Sequence, residues 1–150
     1  MGGEAATPGG RRAAAMAGTA PAKTVLVVED DDATRAGLAA ALARHGYHAP
    51  AARDGLEAWG LLTGAAPPDL VLLDMMLPTL DGWQLMGWMQ ASRLPVPVVI
   101  ISETALTAEW AAEHGANGFL HKPIEESALL AVVRRCLGPT GGATRAGSPS

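Results

Sequence analysis

Five side chains in this sequence stand where an apolar run stops, and their types suit one kind of chemistry. Asp74 closes the run Asp69-Leu70-Val71-Leu72-Leu73-Asp74, and Glu29 and Asp30 follow Thr24-Val25-Leu26-Val27-Val28. Ser102 ends Val98-Val99-Ile100-Ile101-Ser102, and Lys122 follows Gly118-Phe119-Leu120-His121. An ionised carboxylate at the edge of an apolar core is costly unless a cation or hydrogen bonds compensate it. Three carboxylates brought together repel and do not all ionise cheaply. A hard divalent cation resolves that conflict, and oxygen ligands with open positions suit Mg²⁺. With Mg²⁺ and a lysine ammonium facing the same point, the set is suited to a phosphoryl group. Taken singly, Asp74 reads as a turn cap, Lys122 as a surface lysine and Ser102 as a turn residue. Their shared position at run ends is what carries the functional reading.

The elements that would bring them together are legible. Leu70 to Leu73 reads as a strand buried on both faces, and Val25 to Val28, Val98 to Ile101 and Gly118 to His121 read as further strands. Tyr47 to Ala52 reads as a weak strand, and Pro50 assigns it to a sheet edge. Helical segments are expected over Ala33 to His45, Leu56 to Leu62, Asp81 to Ser92, Thr107 to His114 and Glu125 to Leu137. The first should be capped by Asp31 or Asp32 and stopped by Gly46. The last should bury Leu129, Val132, Val133 and Cys136, and Gly138 should close it. Trp83 and Trp110 are expected to serve in packing, and Trp88 to be half-buried on the flank of its helix or part of a docking face. Five alternations of strand and helix give an α/β fold, a five-stranded parallel sheet with helices on both faces. Sites in such sheets lie beyond the carboxyl ends of the strands, where Glu29, Asp30, Asp74, Ser102 and Lys122 would converge.

The chain has 150 residues, 49% hydrophobic, with a net charge of −4. That length supports one domain with a real core. No basic cluster exceeds a pair of arginines, which argues against a nucleic-acid-binding surface. No apolar run reaches membrane-spanning length. The single cysteine, Cys136, excludes an internal disulfide and fits a reducing compartment, so a cytoplasmic location is expected. Residues 1–22 and 138–150 are rich in Gly, Ala, Pro and Thr and are expected to be unstructured tails flanking a domain over 23–137.

The stretches VLVVEDD (Val25 to Asp31), LVLLDMMLPTLDGW (Leu70 to Trp83), VVIIS (Val98 to Ser102) and GANGFLHKP (Gly115 to Pro123) resemble the receiver domain of two-component response regulators. Each is weak alone; four in this order at strand ends are specific. The resemblance implies the flavodoxin-like strand order 2-1-3-4-5. It implies that Asp74 accepts a phosphoryl group from a histidine kinase or phosphotransfer protein, forming an aspartyl phosphate. It implies Mg²⁺ held by Glu29, Asp30, Asp74 and the backbone carbonyl of Met76. Lys122 would pair with the phosphoryl group, and its peptide to Pro123 would be cis. Ser102 and Phe119 would form the switch that reports phosphorylation. A protein of this kind is not an enzyme in the ordinary sense, because it catalyses only its own phosphoryl transfer and dephosphorylation.

Two departures stand out. Glu103 replaces the small residue usual after the switch hydroxyl, and the fourth helix, part of the family's usual output face, is short. With no effector segment readable after residue 137, the expectation is a stand-alone receiver, chemotaxis-regulator-like, that signals through phosphorylation-dependent contacts with a protein effector. The alternative is a degenerate receiver, a binding module that never takes phosphate. A hydrolase that forms an aspartyl phosphate is disfavoured, since such enzymes place a second Asp two residues after the nucleophile, and here that residue is Met76. A fragment of residues 22–138 is expected to fold and to phosphorylate like the whole chain; loss of either property, by circular dichroism or by phosphorylation assay, would mean that a tail packs on the domain.

Overall fold

The computed structural model describes residues 22–77 and 80–138. Within them, five apolar segments pair as parallel strands: β1 (Val25–Val28), β2 (Ala51–Ala52), β3 (Leu70–Asp74), β4 (Val98–Ser102) and β5 (Gly118–His121). The sheet order is β2-β1-β3-β4-β5. This is the expected order 2-1-3-4-5. Every residue of β1, β3 and β4 is buried, as strands covered on both faces must be. The registers Val28↔Leu73 and Asp74↔Ile101 bring the strand ends level, so the residues that follow them emerge side by side.

Five helices cover the sheet: α1 (Asp32–Arg44), α2 (Gly55–Leu62), α3 (Gly82–Ala91), α4 (Ala108–Glu113) and α5 (Glu126–Leu137). One face of the sheet presents Leu26, Val28, Val71, Leu73 and Ile100 to Ala58, Leu62, Leu85, Met89 and Ala111 of α2, α3 and α4. The other presents Val25, Val27, Leu72, Val99 and Ile101 to Leu38, Leu42, Leu129, Leu130 and Val133 of α1 and α5. Each such Leu, Val or Ile contributes about 1.5–3 kcal/mol by leaving water. The helix starts follow from short polar side chains. Asp31, Asp54 and Thr107 accept from the N–H groups of Thr34, Glu57 and Trp110 at 2.8, 2.9 and 3.1 Å. Asp81 and Gln84 form a reciprocal capping box. Gly46, Gly115 and Gly138, all at positive φ, follow α1, α4 and α5.

Some expectations are corrected. The segment from Tyr47 to Ala52 is strand only at Ala51–Ala52, with a single bridge between Thr24 and His48. It still runs along β1, where Val25 and Val27 donate to the carbonyls of His48 and Pro50, but Pro50 has no N–H to extend the ladder. Tyr47 itself lies in the core, 3% exposed. On α5 the buried face is Leu129, Leu130 and Val133; Val132 and Cys136 sit at its margin, half-buried. The apolar stripe of α5 is wider than one helix face, and the sheet takes its centre. Trp83 does pack, but at the surface, 43% exposed. Gly82 occupies the inward position at the start of α3, so the next residue turns outward and rests edge-on against Trp110, 4.8 Å between centroids. Trp88 is half-exposed as expected and leans edge-on against Trp59. Apart from Ala22 and Gly138, the tails expected over 1–22 and 138–150 lie outside the described residues.

Gly82 ties α3 to the end of β3. A Cβ there would lie 2.6 Å from Met75 Sδ, 2.8 Å from Met75 Cα and 3.2 Å from the Asp74 carbonyl oxygen. Methionine sulfur can move; the backbone at Met75 cannot without displacing Asp74. Gly82→Ala is therefore expected to cost about 1–3 kcal/mol of stability through overpacking. Urea unfolding measures it, and an unchanged midpoint would mean that α3 shifts freely away from the strand.

Candidate functional site

The carboxyl ends of β1, β3 and β5 deliver three charged groups to one point. Asp74 is the last residue of β3 and is 4% exposed. Its Oδ1 accepts the backbone N–H of Met76 at 3.0 Å, and its Oδ2 accepts from Lys122 Nζ at 3.1 Å. Lys122 directly follows β5, and the Lys122–Pro123 peptide is cis. The same Nζ lies 2.6 Å from Glu29 Oε1. Glu29, directly after β1, is fully buried, and its Oε2 accepts the N–H of Asp31 at 3.0 Å. Its Oε1 faces the ammonium closely but at a poor angle, and no group among the described residues makes a hydrogen bond to it.

Asp30 is exposed beside them, and carboxylate oxygens of Glu29, Asp30 and Asp74 all lie within 4.8 Å of one another. At that separation each pair repels by roughly 3 kcal/mol with an effective dielectric constant of ~20. One ammonium is too little for three carboxylates. Arg35 adds no free charge: its Nη1 donates to the Glu29 carbonyl, and its Nη2 is paired with the Asp32 carboxylate. The donor set is all oxygen and negatively charged, and it outnumbers the one ammonium that faces it. Those features fit a hard divalent cation of the size and preference of Mg²⁺.

Burial alone would lower the Lys122 pKa, but its contacts with Glu29 and Asp74 outweigh that and raise it above its ordinary 10.5. The ion pairs' contribution is then complete at neutral pH and is lost only as pH rises through the raised value. Asp31 is shifted the other way. The Thr34 N–H that it caps, with smaller help from Lys122 and Arg35, holds its carboxyl below the usual aspartate range.

These groups open into a cavity of about 460 Å³, whose wall also includes Thr34, Met76, Glu103 and Thr104. The Met76 side chain stands 69% exposed at its rim, and Glu103 is exposed beside it. Ser102 ends β4 at the expected place and is 1% exposed. Its hydroxyl does not join the carboxylates. It is bonded to Thr104, at 2.7 Å to Oγ1 and 2.9 Å to the backbone N–H. Phe119 lies half-buried against the core on the α2–α4 side of the sheet, its ring edge-on to His121. Glu29, Asp30, Asp74 and Lys122 thus lie together where the strand ends meet, while Thr104, Thr34 and Gly82 beside them were not singled out from the sequence. A Ser-x-Thr spacing directly after a strand was the available signal for Thr104, because hydroxyls two apart can bond across a turn.

The comparisons with known proteins agree with this geometry. The sequence pattern of the response regulator receiver domain matches residues 25–134. The chain is 35% identical over 115 residues to Response regulator MprA of Mycobacterium sp. (strain KMS), covering 75% of this chain and 50% of that protein. It is 33% identical to the protein of the same name from Mycobacterium avium (strain 104), with the same coverage. The chain thus spans about half the length of these curated relatives. Among solved structures, the receiver domain of Francisella response regulator 1452 superposes with a TM-score of 0.71 at 27% identity, covering 76% of this chain and 95% of that one. The CheY-like receiver domain protein of Methanospirillum hungatei JF-1 gives 0.70 at 23% identity, over 77% and 94%, and shares the fold. Sequence pattern, sheet order and the acidic strand ends lead to one conclusion: this chain belongs to the receiver domain family of two-component response regulators.

Proposed function

We propose that Asp74 is the phosphoacceptor and that the domain, residues 23–137, takes its phosphoryl group from the phosphohistidine of a histidine kinase or phosphotransfer protein. The observation that carries this reading is the Lys122 ammonium held between Glu29 and Asp74 at the mouth of the acidic cavity. A carboxylate oxygen of Asp74 attacks phosphorus; the new O–P bond forms as the P–N bond breaks, and the electron pair leaves with the imidazole. Lys122 is paired with the Asp74 carboxylate beforehand, at 3.1 Å, and is within reach of a phosphoryl oxygen afterwards. The Met76 N–H orients the carboxylate through Oδ1. Glu29, Asp30, Asp74 and the Met76 carbonyl are the groups that would hold Mg²⁺. Bound there, the ion would neutralise charge on the transferring phosphoryl oxygens.

A second, larger cavity of about 660 Å³ supports donor access. It runs between α1 and α5, over Leu38, Ala41 and Leu129, and reaches Glu103 and Lys122 at the edge of the acidic site. A protein seated along α1 could therefore present its phosphohistidine to Asp74. Ser102 and Phe119, on adjacent strands, are the groups through which the added charge would be reported to a protein effector. Among the described residues no helix is long and apolar enough to cross a membrane; we assign the domain to the cytoplasm, on the same reasoning that its donor is a kinase active there. Nucleic acid is not a direct partner of this domain in the proposal, since no run of basic residues in the sequence exceeds a pair of arginines.

The test is direct. Incubation with Mg²⁺ and a small-molecule phosphodonor should add the mass of one phosphoryl group. Asp74→Asn should abolish the gain and chelation of Mg²⁺ should suppress it. Retention of the gain in Asp74→Asn would place the acceptor elsewhere, and absence of any gain in the wild-type chain would favour a phosphate-free binding module.

A further inference from the structure

The Ser102 hydroxyl occupies an unusual position for a group that must answer to Asp74. It is 1% exposed, so water is not available to it. Both hydrogen bonds that it makes among the described residues go to Thr104: one with the Thr104 hydroxyl at 2.7 Å, one from the Thr104 N–H at 2.9 Å. Serine has no second branch at Cβ, so nothing intrinsic selects one χ1 well strongly over the others. The neighbour two residues on makes the selection instead.

We infer that Thr104 is a positioning residue that latches the Ser102 hydroxyl away from Asp74 and so sets the threshold of the switch. The inference rests on the phosphoacceptor reading of Asp74. A phosphoryl group on Asp74 brings a charge of roughly −2 and three strong acceptors. For Ser102 to donate to one of them, its hydroxyl must turn from Thr104 and give up the 2.7 Å bond, whichever of the two oxygens donates it. The bond gained is charge-assisted and stronger than the neutral one given up. Thr104 is itself exposed, so its released hydroxyl passes to water and leaves no buried orphan. The latch is therefore strong enough to hold the resting arrangement and weak enough for the phosphoryl group to break. Removing the Thr104 hydroxyl while keeping its shape weakens the resting state alone.

The test uses the full chain, saturating Mg²⁺ and beryllofluoride as the phosphoryl mimic, with affinity read by titration calorimetry. Thr104→Val should bind beryllofluoride about two- to tenfold more tightly, the range one ordinary hydrogen bond commands. Thr104→Ser keeps the hydroxyl and should match the wild type. In a Ser102→Ala background, Thr104→Val should bring no gain, because the partner is already gone. The latch is overturned if Thr104→Val binds no more tightly than wild type, or if the gain persists in Ser102→Ala. It is equally overturned if Thr104→Ser behaves like Thr104→Val. Wild-type chain that takes up no beryllofluoride, or Asp74→Asn that takes it up equally, would overturn the phosphoacceptor reading and the latch with it.

Discussion

The arrangement depends on one ammonium group. Lys122 Nζ stands between two buried carboxylates, 2.6 Å from Glu29 and 3.1 Å from Asp74. Desolvating either acid without a cation would cost several kcal/mol. The lysine makes their burial tolerable, but one positive charge does not balance Glu29, Asp74 and the adjacent Asp30. The fold therefore keeps a site that is strongly negative, partly compensated, and open to a hard cation and a phosphoryl group. A better-neutralised site would be more stable and would have less to offer either ligand.

The parallel sheet is what makes that concentration of charge possible. In-register pairing of β1 with β3 and of β3 with β4 ends the strands on one level, and the buried faces leave those ends little freedom. The acids reach the edge of the core without entering it. α3 then presses on the same edge through Gly82, so the backbone that carries Asp74 is held from both sides. Ser102, one strand over, is held by a different means. Packing fixes where its Cα lies, while two hydrogen bonds to Thr104 fix where its hydroxyl points. A group held only by hydrogen bonds can be redirected by a new charge, whereas a packed strand cannot.

Much of this was legible in the order of residues. Short apolar runs mark the strands, and an acid, a serine or a lysine where a run stops marks the site. Asp31, Asp54, Asp81 and Thr107 announce helix starts because short oxygen side chains reach free N–H groups. The roles of the five residues were a different matter; they came from resemblance, since a carboxylate at a strand end does not by itself name its reaction. What escaped the sequence was decided by geometry that no periodicity encodes. Pro50 removed the donor that would have extended β2. Gly82 took the inward turn of α3 and sent Trp83 outward. The rotamer of Ser102 depends on a partner two residues away, and the centre of the α5 stripe depends on where the sheet meets it.

Lys122 offsets charge that the fold would otherwise struggle to bury, and a divalent cation bound at the site would take over part of that task. Urea unfolding of Lys122→Met, at neutral pH with and without Mg²⁺, tests it most directly. Without Mg²⁺ the variant should lose about 3–5 kcal/mol relative to wild type, the usual cost of stripping one partner from a buried pair. Added Mg²⁺ should restore a substantial part of the loss, since a ligand that binds only the folded site stabilises it. A variant as stable as wild type in the absence of Mg²⁺, or one that Mg²⁺ does not help, would mean that Lys122 does not compensate these carboxylates or that no cation shares the task.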